Sequence, residues 1–281
     1  MSVKAKGLQR HPLASYFPLT FSISWLGALC VAAPHLLRHE SVPKLSGILM
    51  FPAMLLGPLI SSLLLTGAID GKTGIRELFR QMKPRRGTAV WYAALAIPPL
   101  LIYLVLLTLR DFASPVFTPG FFWSGICFGV PAGFVEEIGW MGFAYPRMSR
   151  RYGALIAAVI LGLLWSLWHY PVIDYLGTAT PHGAYKLRYF LAFACAMTAI
   201  RVIIAWIYTN TRSLLLAQLL HLSSTGSLVI FSPPRVNATQ ETLWYFAYSI
   251  LLWIFVGLIA AGWGRTLSRQ NSDAASAVSQ P

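Results

Sequence analysis

The chain has 281 residues, of which 56% are hydrophobic, 14% aromatic and only 11% charged, whereas roughly a quarter of residues carry charge in soluble domains. That balance excludes an ordinary water-soluble domain and points to a membrane protein. Lys and Arg outnumber Asp and Glu by 22 to 9, for a net charge of +13, but the basic residues sit at the ends of apolar runs and not on a polar domain, which argues against a nucleic-acid partner.

A bilayer core about 30 Å thick needs about 20 apolar helical residues. Eight such stretches are predicted, at about 16–33, 47–69, 90–109, 121–144, 153–176, 188–209, 213–231 and 243–263. The first follows Lys4, Lys6 and Arg10 but has no small-x-small cleavage site before the polar loop His35–Glu40, so it is read as a span and not as a signal peptide. Cys30, Cys127 and Cys195 lie far apart in apolar runs without CxxC spacing and read as buried thiols. No internal repeat or soluble domain interrupts the series. The expectation is an all-α polytopic protein of about eight transmembrane helices, with one integral-membrane domain over 1–264 and a polar, disordered tail over 265–281.

Orientation follows from the loops. Lys72, Arg76, Arg80, Lys83, Arg85, Arg86, Arg147, Arg150, Arg151, Arg212, Arg265 and Arg269 fall on the same side as the basic N-terminus, against Arg38, Lys44, Arg110, Lys186, Arg188 and Arg235 on the other. The positive-inside rule then puts both termini in the cytoplasm. Asn237-Ala238-Thr239 falls outside, where it is a glycosylation sequon in a eukaryotic secretory pathway and without meaning in a bacterium.

Within the spans the ionisable residues are Glu136, Glu137, His169, Asp174, Arg201 and His221. A charge at mid-bilayer costs several kcal/mol unless it faces a cavity or a partner, so each is a functional candidate. Asp174, after Pro171 and near a span end, reads as interfacial, and Arg201 as either a counter-ion to a glutamate or a snorkelling residue. Glu136 and Glu137 lie in FVEEIGWMGF, with no Lys or Arg in that stretch. Neighbouring helical positions point about 100° apart, so one carboxylate works while the other supports it. An apolar setting can tune a carboxyl to act as general acid or base near neutral pH. His169 in LLWSLWHYPV and His221 in LLLAQLLHLSST stand on two later helices. Pro171 breaks the helix after His169 and frees carbonyls, as unwound backbone lining a cavity does.

Two chemistries fit this set. Glu136, His169 and His221 can be three zinc ligands with an open fourth position, although no HExxH is present and each ligand must come from a different helix. The preferred alternative needs no cofactor: a glutamate and a histidine activate water against a peptide carbonyl while the other histidine stabilises the oxyanion.

With these residues in view the chain resembles the CPBP intramembrane endopeptidases, the family of CAAX prenyl-endopeptidases and of bacteriocin-processing and abortive-infection proteins. The resemblance covers about 121–231. The family's EExxxR is matched by EEIGWMGFAYPR, its FxxxH by WSLWH from Trp165 to His169, and its HxxxN by HLSST from His221 to Thr225; WIYTNTRSLLLAQLLH also resembles the family's approach to that histidine. The resemblance implies helices surrounding an intramembrane cavity that admits a peptide, and a substrate that is a membrane-associated or lipidated peptide or protein. It implies Glu136 as the water-activating base, His169 as its partner, Glu137 in support, and His221 with Thr225 on the oxyanion side. Family members are also labelled metalloproteases, which keeps zinc in view.

Two departures stand out. Thr225 replaces the usual asparagine and still donates a hydrogen bond, with a shorter reach. Met141 replaces the arginine. Its charge then comes from elsewhere, with Arg201 or Arg147 as candidates, or the chain is an impaired homologue acting as a membrane immunity or scaffold protein. A transporter would use the same buried Glu and His, but no inverted repeat supports one. The expected location is a bacterial inner membrane. At about 1.5 Å per residue, the spans place Glu136 and His221 in the cytoplasmic half and His169 roughly 10 Å nearer the outside, so a shared site requires those boundaries to shift.

Overall fold

The computed structural model describes residues 10–84 and 87–268, and these form helices, turns and loops with no strand among them. The expected tail lies outside the described residues from 269 onward. Five helical segments are long and apolar enough to cross a membrane: α1 (Pro12–Leu36), α2 (Lys44–Arg80), the 3₁₀ turn Ala89–Ala96 continuing into α3 (Ile97–Phe112), the 3₁₀ turn Gly183–Tyr185 continuing into α7 (Lys186–Thr211), and α9 (Ala238–Trp263). Two shorter apolar helices, α6 (Ala154–Trp168) and α8 (Leu214–Ile230), complete the bundle with an interrupted helix between α3 and α6. The protein is thus an all-α polytopic membrane protein.

The outer surface carries Leu, Ile, Phe and Trp side chains such as Leu56, Leu104, Ile156 and Ile254, as a lipid-facing surface requires. Cys30, Cys127 and Cys195 belong to that surface. The expectation of buried thiols is therefore corrected: an apolar run in a membrane protein has a lipid side as well as a core side, and composition alone does not separate them.

The interrupted helix bears the glutamate pair. It runs as α4 (Gly125–Pro131), a π-helical turn Ala132–Glu136, one α-helical turn Glu137–Gly139, a second π turn Trp140–Ala144, and α5 (Tyr145–Tyr152). Pro131 lacks the N–H that an α ladder uses, and a wider turn follows it directly. A π turn inserts a residue and re-aims the side chains after it, which is why such turns cluster at functional sites. The carbonyl of Phe134, inside the first π turn, accepts a hydrogen bond from Gln218 Nε2 of α8 at 2.9 Å.

Three glycines one turn apart bring α4 and its continuation against α8. A Cβ on Gly125, Gly129 or Gly133 would stand 2.5, 2.7 or 2.5 Å from the carbonyl oxygens of Gly226, Leu222 and Gln218 respectively. This is small-residue packing of the kind that lets membrane helices touch backbone to backbone. Gly162 serves the same end between α6 and α7, since its Cβ would lie 2.7 Å from Thr198 Cα.

Between α6 and α7 the chain forms a 3₁₀ turn, Tyr170–Tyr175, and a loop. Buried Glu241 in α9 holds that loop, accepting from the backbone N–H groups of Thr178 at 2.8 Å and Ala179 at 2.7 Å and contacting His182 Nε2 at 3.2 Å. Asp174 pairs with Lys186 at 2.7 Å, in keeping with its interfacial reading. Asn237 caps α9 in a reciprocal box with Gln240, each backbone N–H bonded to the other's side chain at 3.0 Å. The residue that reads as a sequon thus has a helix-capping reason to be there.

Candidate active site

Glu136, Trp165, His169, His221 and Thr225 line one cavity of about 320 Å³. They come from the interrupted helix, α6 and α8, and α7 adds Phe193 and Met197 to the wall. Lys44, Phe122, Thr178 and Ser232 also line it. Lys44 begins α2, whose far end, at Asp70 and Glu77, lines a separate cleft with Arg147, Arg150 and Arg212.

The fifth apolar run does not continue as a helix to 176: α6 stops at Trp168 after 15 residues, Pro171 cannot donate within a helix, and the backbone tightens to 3₁₀ from Tyr170. That span boundary is corrected, and His169, at the C-terminal end of α6, lines the same cavity as Glu136 and His221.

Glu136 is fully buried. Its Oε2 accepts from two indoles, Trp140 Nε1 at 3.1 Å and Trp165 Nε1 at 2.7 Å, while Oε1 has no hydrogen-bond partner among the described residues. One carboxylate oxygen is thus tethered and the other unpartnered. Sequence reasoning gave neither tryptophan a role at Glu136, and Trp165 entered only as the first residue of the WSLWH match. Their signal was their spacing, Trp140 one turn after Glu136 and Trp165 one turn before His169. A phenylalanine at 165 would fill the same space without the N–H.

His169 Nδ1 lies 2.8 Å from the carbonyl oxygen of Trp165. A carbonyl only accepts, so Nδ1 carries the proton and Nε2 is an acceptor in the neutral ring. Its ring is held edge-on by Trp165 and Trp168, with centroids 5.2 and 4.8 Å away. His221 packs on Trp165 too, at 5.0 Å, so one indole spaces the two imidazoles.

Glu137 makes a different set of contacts. His221 Nδ1 lies 2.6 Å from its Oε1, and Arg201 Nη1 lies 2.7 and 2.8 Å from its two oxygens. All three residues are buried. Thr225 follows His221 by one turn of α8 and is half-buried at the cavity wall. Arg147, the other candidate for the missing charge, is committed elsewhere: it pairs with Asp70 at 2.9 Å and stacks on Phe143 at 3.8 Å.

A zinc site would need Glu136, His169 and His221 to converge on one point. Among the described residues no group of three or more His, Cys, Asp or Glu side chains is placed to hold a metal ion. As placed, Glu136, His169 and His221 do not form such a group.

The family described as type II CAAX prenyl endopeptidase Rce1-like matches residues 118–226, a range that contains every residue named for the cavity chemistry. CAAX prenyl protease 2 of Methanococcus maripaludis is 25% identical over 244 residues, covering 81% of this chain and 86% of that protein.

Proposed function

We propose that this chain, which belongs to the CPBP/CAAX protease family, is an intramembrane endopeptidase that hydrolyses a peptide bond of a membrane-associated or lipidated peptide without a cofactor. The observation that carries the reading is the divided carboxylate of Glu136, a residue that lines the cavity, with one oxygen held by two indole N–H groups and the other unpartnered among the described residues.

In this mechanism a water lies between Glu136 Oε1 and His169 Nε2. Glu136 takes a proton as the water oxygen bonds to the scissile carbonyl carbon, and His169 accepts the water's second hydrogen bond to orient it. The carbonyl oxygen becomes an oxyanion. His221 Nε2–H and the Thr225 hydroxyl donate to it; with Nδ1 directed at the Glu137 carboxylate, that donor role uses the doubly protonated imidazole. Collapse breaks the C–N bond, and Glu136 returns its proton to the leaving amine.

The test is cleavage of a panel of fluorogenic peptides, with and without a prenylated cysteine, by the detergent-purified protein. Turnover that survives a strong chelator supports the reading. Loss to chelator that zinc restores would replace it with the metal mechanism, and no cleavage of any peptide would make the chain an impaired homologue.

The orientation belongs to the same proposal. The basic ends of the helices put both termini in the cytoplasm, in a bacterial host at the inner membrane. The part of the cavity lined by Lys44, Thr178 and Ser232 then faces outward, and a substrate enters from the outer side. In a background with Cys30, Cys127 and Cys195 replaced, a cysteine at Thr178 should react with an impermeant maleimide in intact cells, and one at Arg150 only after lysis. The reverse pattern would invert the topology.

A further inference from the structure

We propose that Arg201, carried on α7, is the positioning cation of the catalytic centre and supplies from a different helix the charge that Met141 lacks. This rests on the endopeptidase reading for its catalytic consequence, though not for the charge assignment itself.

The geometry places Arg201 between the two halves of the site. Its Nη1 spans both oxygens of Glu137 at 2.7 and 2.8 Å, and Glu137 holds His221 Nδ1 at 2.6 Å. Its guanidinium carbon also lies 4.1 Å from the centre of the Trp165 ring, and that indole donates to Glu136 Oε2 at 2.7 Å. One planar cation therefore fixes the carboxylate that orients the oxyanion histidine and stacks on the donor that orients the general base. A lysine reproduces the charge but not the planar stacking.

Charge pairing gives the same assignment. Among the described residues Arg201 is the one Lys or Arg side chain in an ion pair with either Glu136 or Glu137. Met141 is fully buried one turn after Glu137 and brings no charge. Arg147 is spent on Asp70. Gly162 permits the arrangement, because its Cβ would stand 3.2 Å from Arg201 Cβ and 2.7 Å from the α7 backbone at Thr198. The close approach of α6 and α7 seats the guanidinium on Trp165.

The test moves the charge from one helix to the other. Arg201→Met should lower kcat at least about 100-fold with KM within about threefold, the magnitude expected when oxyanion stabilisation is lost. The double variant Arg201→Met with Met141→Arg should recover kcat to within about tenfold of the parent. Arg201→Lys should fall between. Met141→Arg alone, which puts a second cation beside a Glu137 already paired with Arg201, should also lower kcat. Melting temperature in detergent is read in parallel, and should drop in Arg201→Met and recover in the double variant whether or not any peptide is cleaved. If the parent cleaves peptides but the double variant restores neither kcat nor melting temperature, or if Arg201→Met keeps full kcat, the assignment is wrong. If the parent cleaves nothing while melting temperature follows the charge, the endopeptidase reading falls and the charge assignment stands. Should Arg201→Met fail to accumulate, Arg201→Lys decides: parental kcat overturns the positioning role, and a fall in kcat at constant KM upholds it.

Discussion

Glu136→Gln is expected to reduce kcat for peptide hydrolysis by about 10³-fold, within the range typical for loss of a general base, while leaving the protein folded. The amide is nearly isosteric with the carboxylate, and its oxygen can keep the Trp140 and Trp165 indole bonds now made to Oε2. What it presents to the cavity in place of Oε1 is an NH₂ group, which cannot take a proton from water. The packing is thus retained and the chemistry removed. Glu137→Gln is the control with the opposite signature. It strips the anion from Arg201 and His221, and breaking a buried pair by removing one partner costs about 3–5 kcal/mol. Glu136→Gln should therefore melt within a few degrees of the parent and be nearly inactive, whereas Glu137→Gln should melt markedly lower. Parental kcat in Glu136→Gln would end the general-base assignment; thermal scans and initial rates on matched preparations suffice to see it.

The residues legible from sequence are those whose chemistry is out of place in lipid. Glu136, Glu137, His169 and His221 stand out because an ionisable group inside an apolar run must have a reason, and the structure brings Glu136, His169 and His221 to one cavity. The helical class was legible for a similar reason, since a backbone in hydrocarbon must satisfy its own hydrogen bonds. Less visible was where each helix stops. The run through Pro171 and Leu176 is apolar but for His169 and Asp174, so hydropathy counted it as one span, and the end of α6 at Trp168 emerged only from backbone geometry. The π turns at Ala132–Glu136 and Trp140–Ala144 left no signature beyond Pro131 and nearby glycines. Trp140 read as an ordinary membrane aromatic, and Trp165 only as the residue in the phenylalanine place of FxxxH. Their indole N–H groups become meaningful only when a buried carboxylate is found at hydrogen-bond distance. Arg201 was visible as a charge on an apolar helix, but its partner lies 64 residues earlier in the chain, a pairing that sequence spacing does not encode.

His221→Ala should produce the second large loss, about 10²- to 10³-fold in kcat, the cost of removing an oxyanion donor, with little change in KM. The imidazole touches the site from both sides: Nδ1 is held by Glu137 Oε1 at 2.6 Å, and the opposite nitrogen is the one proposed to reach the oxyanion. Alanine removes the donor and leaves Glu137 with Arg201 alone, an ion pair still satisfied at 2.7 and 2.8 Å, so the fold should tolerate the change better than Glu137→Gln. Thr225→Ala removes the other proposed donor, one helical turn along, but a hydroxyl is a weaker donor than an imidazolium. Its loss should be smaller, about tenfold. If the two act on one oxyanion, the double variant should lose less than the product of the separate factors, because donors serving one charge are coupled. Strictly multiplicative losses would place Thr225 away from the oxyanion and leave His221 as its protein donor. An unchanged kcat in His221→Ala would move the oxyanion to another part of the cavity altogether.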